Sequence, residues 1–151
     1  MTPPPLGTAS VTHRYGCSPE RAFDAWLEPA LIGRWMFGPA LRDEEILRIA
    51  IDARVGGAFS FLVRRAGTDI DHVGEYVEID RPRRIVFTWS VPHYSSETTR
   101  VTVEIAPFGT GCELTLTHVL PAEFAQRASE AWGMMLGVLG SVLGEASNPS
   151  V

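Results

Sequence analysis

The chain has 151 residues, 45% of them hydrophobic and 21% charged, and its formal charge is −5, with every one of the 13 basic residues an arginine. That length and apolar content suit one globular domain and exclude a disordered or low-complexity chain. The acidic balance offers no basic face to neutralise phosphates, which excludes nucleic acid as an expected partner, and the longest uncharged run, 131–144, falls short of the ~20 residues of a membrane span.

Residues 1–8 hold three of the 11 prolines. They read as a flexible N-terminal arm without the basic-then-apolar pattern of a signal peptide, and 146–151 as a flexible tail, leaving one domain over 9–145. A short strand at about 9–15 opens the pattern. At Ser18-Pro-Glu-Arg, Ser18 suits a helix N-cap and Pro19 the first turn, although Arg21 stands where a capping box has Glu or Gln. Ala22, Phe23, Trp26 and Leu27 follow at helical spacing. Pro29 interrupts them, and a second short helix, about 30–35, ends before Gly38-Pro39.

From there to Pro121 the period is two. Leu47, Ile49 and Ile51 alternate within 46–53, and Phe59, Phe61 and Val63 share a face after Gly56-Gly57. A strand over 72–79 comes next, then Ile85, Phe87, Trp89 and Val91, then Val101, Val103 and Ile105, then Leu114, Leu116 and His118. Short turns between consecutive strands predict an antiparallel sheet. In the last element, about 122–144, Phe124, Ala128, Ala131, Trp132, Met135, Leu139 and Leu143 recur every three or four residues. The order β-α-α-β6-α is an α+β class, most economically a curved antiparallel sheet wrapped around a long C-terminal helix.

At this point the sequence resembles the SRPBCC, or START-like, superfamily, and within it the single-domain bacterial branch named after the activator of the heat-shock chaperone ATPase. The residues that carry the resemblance are Ser18-Pro-Glu-Arg-Ala-Phe-Asp-Ala-Trp26, Arg34-Trp35, Val55-Gly-Gly-Ala-Phe59, His72-Val-Gly-Glu-Tyr-Val-Glu-Ile-Asp-Arg-Pro82, Arg84-Ile-Val-Phe-Thr-Trp89, Val101-Thr-Val-Glu104 and Leu114-Thr-Leu-Thr-His118. The resemblance implies a helix-grip fold, a cavity between curved sheet and long helix, and a first strand antiparallel to the last. That strand order brings Cys17 and Cys112 together. The final helix carries more glycine than the family pattern, with Gly133, Gly137, Gly140 and Gly144 on one face. Close approach of another backbone, as in a homodimer, space for a ligand, and sequence drift each account for that stripe.

Chemistry is sparse. His13, His72, His93 and His118 have no metal-ligand spacing, and there is no GxSxG, phosphate loop or Cys/His pair, so neither metal nor cofactor is expected and no catalytic residue is assigned. His118 shares parity with Leu114 and Leu116 and should point inward, as a core histidine bonded to backbone or as a polar anchor on the cavity wall. Glu75 shares parity with Val73, Val77 and Ile79. It is either an inward carboxylate needing a partner, or a bulge at Gly74 puts Tyr76 inside instead. If Glu75 and His118 both face inward they form the best acid/base pair in the chain. The expected cavity residues are Trp35, Phe59, Phe61, Tyr76, Trp89, His118, Trp132 and Met135. Two cysteines without a CxxC make no disulfide scaffold, so a reduced cytoplasmic location is the default. The leading functional reading is binding of a small hydrophobic or amphipathic molecule. A cyclase- or hydrolase-type enzyme using the cavity's polar residues, and a module that contacts a chaperone ATPase, are the alternatives.

Overall fold

A computed structural model describes residues 5–38 and 44–147. Its elements are β1 (Leu6–Tyr15), α1 (Pro19–Asp24), α2 (Pro29–Trp35), β2 (Glu45–Ile51), β3 (Ala58–Arg65), β4 (Thr68–Asp80), β5 (Arg84–Trp89), β6 (Thr99–Phe108), β7 (Gly111–Pro121) and, after one 3-10 turn at Ala122–Phe124, α3 (Ala125–Ser147). All seven strands form one antiparallel sheet in the order β1-β7-β6-β5-β4-β3-β2. The α+β helix-grip architecture is the one the alternation and the final helical stripe predict.

Local chemistry explains the joints. Ser18 Oγ accepts the Arg21 amide at 3.2 Å and Pro19 occupies the first turn, so α1 starts where its cap says it should. The β3–β4 loop is two residues, Ala66 and Gly67, with φ of 51° and 81°. Two positive φ values give the mirror-image turn whose twist matches antiparallel strands. Between α1 and α2, the Trp35 indole N–H donates to the Ala25 carbonyl at 3.1 Å and holds the two helices together.

Several boundaries differ from the sequence reading. Strand β1 begins at Leu6, not Ala9, and its first residues pair with the end of β7, Leu6 opposite Pro121 and Thr8 opposite Val119. The prolines mask this pairing, and glycine permits it, since a Cβ on Gly7 would lie 2.8 Å from Ala122 Cα. The Ala122 amide then donates to the Pro5 carbonyl at 2.9 Å. The sheet thus takes in residues from Leu6 on that the expected arm included, and residues 1–4 lie outside the described residues. Helix α3 continues to Ser147, and the expected tail over 148–151 lies outside the described residues, as does Pro39 of the expected helix stop. Strand β5 ends at Trp89, although Ser90 still bridges to Val73.

Strand β4 corrects a parity. Its inward residues are Ile70, His72 and Tyr76, all buried, whereas Glu75 and Val77 are exposed. The bulge exists, but it falls between Tyr76 and Glu78 rather than at Gly74: Tyr76 pairs with Phe87 and Ile79 with Ile85. Gly74 lies on the inward row for a different reason, because a Cβ there would sit 1.9 Å from the Thr88 carbonyl oxygen and 2.5 Å from the Phe59 ring. The apolar Val73 and Val77 misled the reading of the strand; a single inserted residue reverses which face it buries.

The core fills the concave side of the sheet with Val63, Ile85, Val101, Val103, Leu114 and Leu116, and α3 adds Leu136, Leu139 and Leu143. The Tyr15 hydroxyl donates to the Leu136 carbonyl at 2.9 Å and pins β1 to α3. Gly140 allows that approach, with its absent Cβ 3.4 Å from the Tyr15 ring, while Gly133, Gly137 and Gly144 face open space. The glycine stripe thus has no single role inside the protomer, and none of its members borders the cavity described next.

Candidate functional site

A cavity of about 340 Å³ opens between the sheet and the first half of α3. Helix α3 supplies Ala128, Ala131, Trp132 and Met135 from one face, which is what spacings of three and four place together. Strand β7 supplies His118 and Leu120, β5 and the residues after it supply Trp89 and Val91, and Met36 and Phe37 close the end beside α2. The volume and the mainly apolar wall lie within the range of small-molecule sites.

Three polar side chains on this wall, Trp132, His118 and Thr99, bond in series. The Trp132 indole N–H donates to His118 Nδ1 at 3.1 Å. An indole nitrogen can only donate, so Nδ1 is the lone-pair nitrogen and the imidazole proton sits on Nε2. Nε2 lies 2.7 Å from Thr99 Oγ1 and donates to it, and the Thr99 hydroxyl donates onward to the Trp89 carbonyl at 3.0 Å. The result is a one-way chain from α3 through β7 and β6 to β5. Burial pushes the His118 pKa down from 6.5 to about 4, so the imidazole is neutral at physiological pH. A second buried histidine, His72, also reaches the cavity and donates from Nδ1 to the Phe61 carbonyl at 2.9 Å.

Charge gathers only at the mouth. Arg65, at the end of β3, donates from Nε to Glu44 at 2.6 Å and from Nη1 to the Tyr94 hydroxyl at 2.8 Å. It thereby ties the β5–β6 connection to the rim of the sheet. Glu97 and Arg127 complete the rim.

Of the residues expected at the cavity, Trp89, His118, Trp132 and Met135 line it. Phe59, Phe61 and Tyr76 do not; they border a separate void of about 10 Å³ deeper in the sheet. Trp35 lines neither and is wholly buried between the short helices. Glu75 is exposed, and its backbone amide donates to the Thr88 hydroxyl oxygen at 3.0 Å, so the structure does not bring Glu75 and His118 together. The sequence reading missed Thr99, although it shares parity with Val101 and Val103 and could have been found by extending that strand two residues. Arg65, Tyr94 and Met36 carry no local signal; tertiary contact alone brings them to the site. Among the described residues no group of His, Cys, Asp and Glu side chains is placed to hold a metal ion, and no helix is long and apolar enough to cross a membrane.

Comparison with family models matches residues 16–144 to the Activator of Hsp90 ATPase homolog 1-like proteins. The chain belongs to this family. Solved structures agree with the family fold. A Chromobacterium violaceum protein is 23% identical with a TM-score of 0.78, over 90% of this chain and 96% of its own. A Staphylococcus aureus protein of unknown function is 15% identical with a TM-score of 0.83, over 97% and 98%. An activator-like protein from Aeromonas hydrophila is 20% identical with a TM-score of 0.77, over 94% of each chain. At these identities the likeness is one of fold. A search of the curated proteins finds no significant match. Within the Activator of Hsp90 ATPase homolog 1-like family, then, what distinguishes this chain must be sought in its own cavity.

Proposed function

We propose that this protein binds a small apolar or amphipathic molecule in the cavity between the sheet and α3. The observation that carries the reading is the pairing of a cavity of about 340 Å³ with a mainly apolar wall on which Trp132, His118 and Thr99 bond in series. The ligand body meets hydrocarbon and aromatic surface, and any charged end meets the rim at Arg65, Glu97 and Arg127.

Neither alternative has comparable support. An acid/base enzyme lacks the Glu75–His118 pair that motivated it. The chaperone reading comes from the family's name.

Native mass spectrometry of protein purified from its own host tests the reading, with a retained small molecule as the expected result. Ala131→Phe, which fills the cavity from α3, should abolish both that retention and the binding of 1-anilinonaphthalene-8-sulfonate. Undiminished probe binding to a folded Ala131→Phe protein would count decisively against this site.

A further inference from the structure

The cavity ends at Met36 and Trp89, and these same two side chains also wall the deeper void. That void, about 10 Å³, is roughly the size of one water-sized probe, and Trp26, Phe59, Tyr76 and Phe87 border it with no charged residue among its lining. Trp26 is 3% exposed, and its indole N–H has no acceptor among the described residues. The neighbouring indoles behave differently, for Trp35 donates to Ala25 and Trp132 to His118. Native structures seldom bury a donor without a partner, since its lost hydration is not returned. The partition is one that can yield: Met36 is an unbranched thioether with three rotatable bonds, seated between the two spaces.

We propose that the ligand carries a neutral oxygen acceptor, such as a carbonyl, ether or hydroxyl oxygen, at its inner end, and that this oxygen passes Met36 to accept the Trp26 Nε1–H. The inference rests on the cavity being a ligand site and adds which end of the ligand goes in first. Between the charged rim and Met36 the wall's Trp132, His118 and Thr99 bond in series and end on the Trp89 carbonyl, so the middle of the ligand meets an apolar surface. A carboxylate at the inner end is excluded because no cation lines the void to offset its desolvation.

The test uses two probes of matched shape, 2-acetylnaphthalene and 2-isopropenylnaphthalene, which differ in a carbonyl oxygen against a methylene carbon. Affinities are measured for the wild type and for Trp26→Phe, and the indole N–H resonances of the wild type are followed by ¹H–¹⁵N spectra. The ratio of ketone to alkene affinity should fall about tenfold in Trp26→Phe, and only the ketone should move the Trp26 indole proton downfield. An unchanged ratio together with an unmoved resonance overturns the inference, and assigns the Trp26 N–H to the face of Trp35, 4.7 Å away in an edge-on arrangement. Binding of neither probe overturns the cavity reading itself, and this inference with it. If Trp26→Phe does not fold, the indole shift in the wild type decides alone.

Discussion

Trp132 and His118 are 3.1 Å apart through an indole N–H and an imidazole lone pair, so the bond survives only while His118 is neutral. The native state holds the imidazole at a pKa of about 4 against an ordinary 6.5, so between these values the unfolded chain takes up a proton that the folded chain refuses. Stability is therefore full above pH 6.5 and falls as the pH drops toward 4, by up to about 3 kcal/mol. Urea titrations from pH 7.5 to 4 check this. His118→Gln should flatten that part of the curve, and an equally steep loss in the variant would assign it to other groups.

Trp132 also carries packing, being 3% exposed between Trp26 and Trp89. Trp132→Ala should cost about 3–5 kcal/mol. Trp132→Phe retains most of the ring but strands His118 Nδ1 as a buried acceptor, and should cost about 1–3 kcal/mol. No loss in Trp132→Phe would mean that the hydrogen bond contributes nothing, and equal losses for the two variants that the ring packing contributes nothing.

The Cys17 and Cys112 thiols are buried and close enough to influence each other's ionisation, in keeping with a β1–β7 register that places Cys112 opposite Tyr15, two residues before Cys17. Burial first, then Cys17, pushes the Cys112 thiol up to about 11, and burial also raises that of Cys17. At pH 8 only about a thousandth of Cys112 is thiolate, the form that reacts. Both cysteines should resist iodoacetamide in the native protein and react promptly in urea, read by intact mass. Rapid alkylation of either one in the folded protein would contradict the packing.

Glycine substitutions separate the members of the helical stripe. Gly133 and Gly137 face open space, so alanine at each should stabilise α3 by about 0.5–1 kcal/mol. Gly140→Ala brings a methyl group to 3.4 Å from Tyr15 and should forfeit that gain. Thermal melts with sedimentation measure both effects. A change in oligomeric state for Gly133→Ala or Gly137→Ala would show that the open face belongs to an interface.

The β3–β4 turn offers a gain of another kind. Ala66 holds a φ of 51°, where a Cβ is unfavourable and Asn-Gly is the preferred pair. Ala66→Asn should raise stability by about 0.5–1 kcal/mol in a urea melt. A loss would mean that Ala66 makes contacts beyond its own turn.

The sequence by itself determined the features that depend on neighbours in the chain. Alternation in Ile85-Val-Phe-Thr-Trp89 can bury one face only as a strand. The 3.6 period through Trp132, Met135, Leu139 and Leu143 can do so only as a helix, and short turns between strands leave only antiparallel pairing. Ser18-Pro19 marked a helix start through the same local chemistry. Tertiary structure decided the rest. Val73 and Val77 look like core residues, yet a bulge at Val77 gave the inside to Tyr76 and left Glu75 in water, because pairing with β5 outweighs the hydropathy of two valines. Four of the eight expected cavity residues line the cavity and the other four do not, since inward parity says which face a side chain takes and nothing about whether a void lies beside it. Thr99, Arg65 and Met36 reach the site from three different elements. His118 gained its partners Trp132 and Thr99 only when α3 and β6 closed over it, so its chemistry, unlike its parity, exists only in the folded chain.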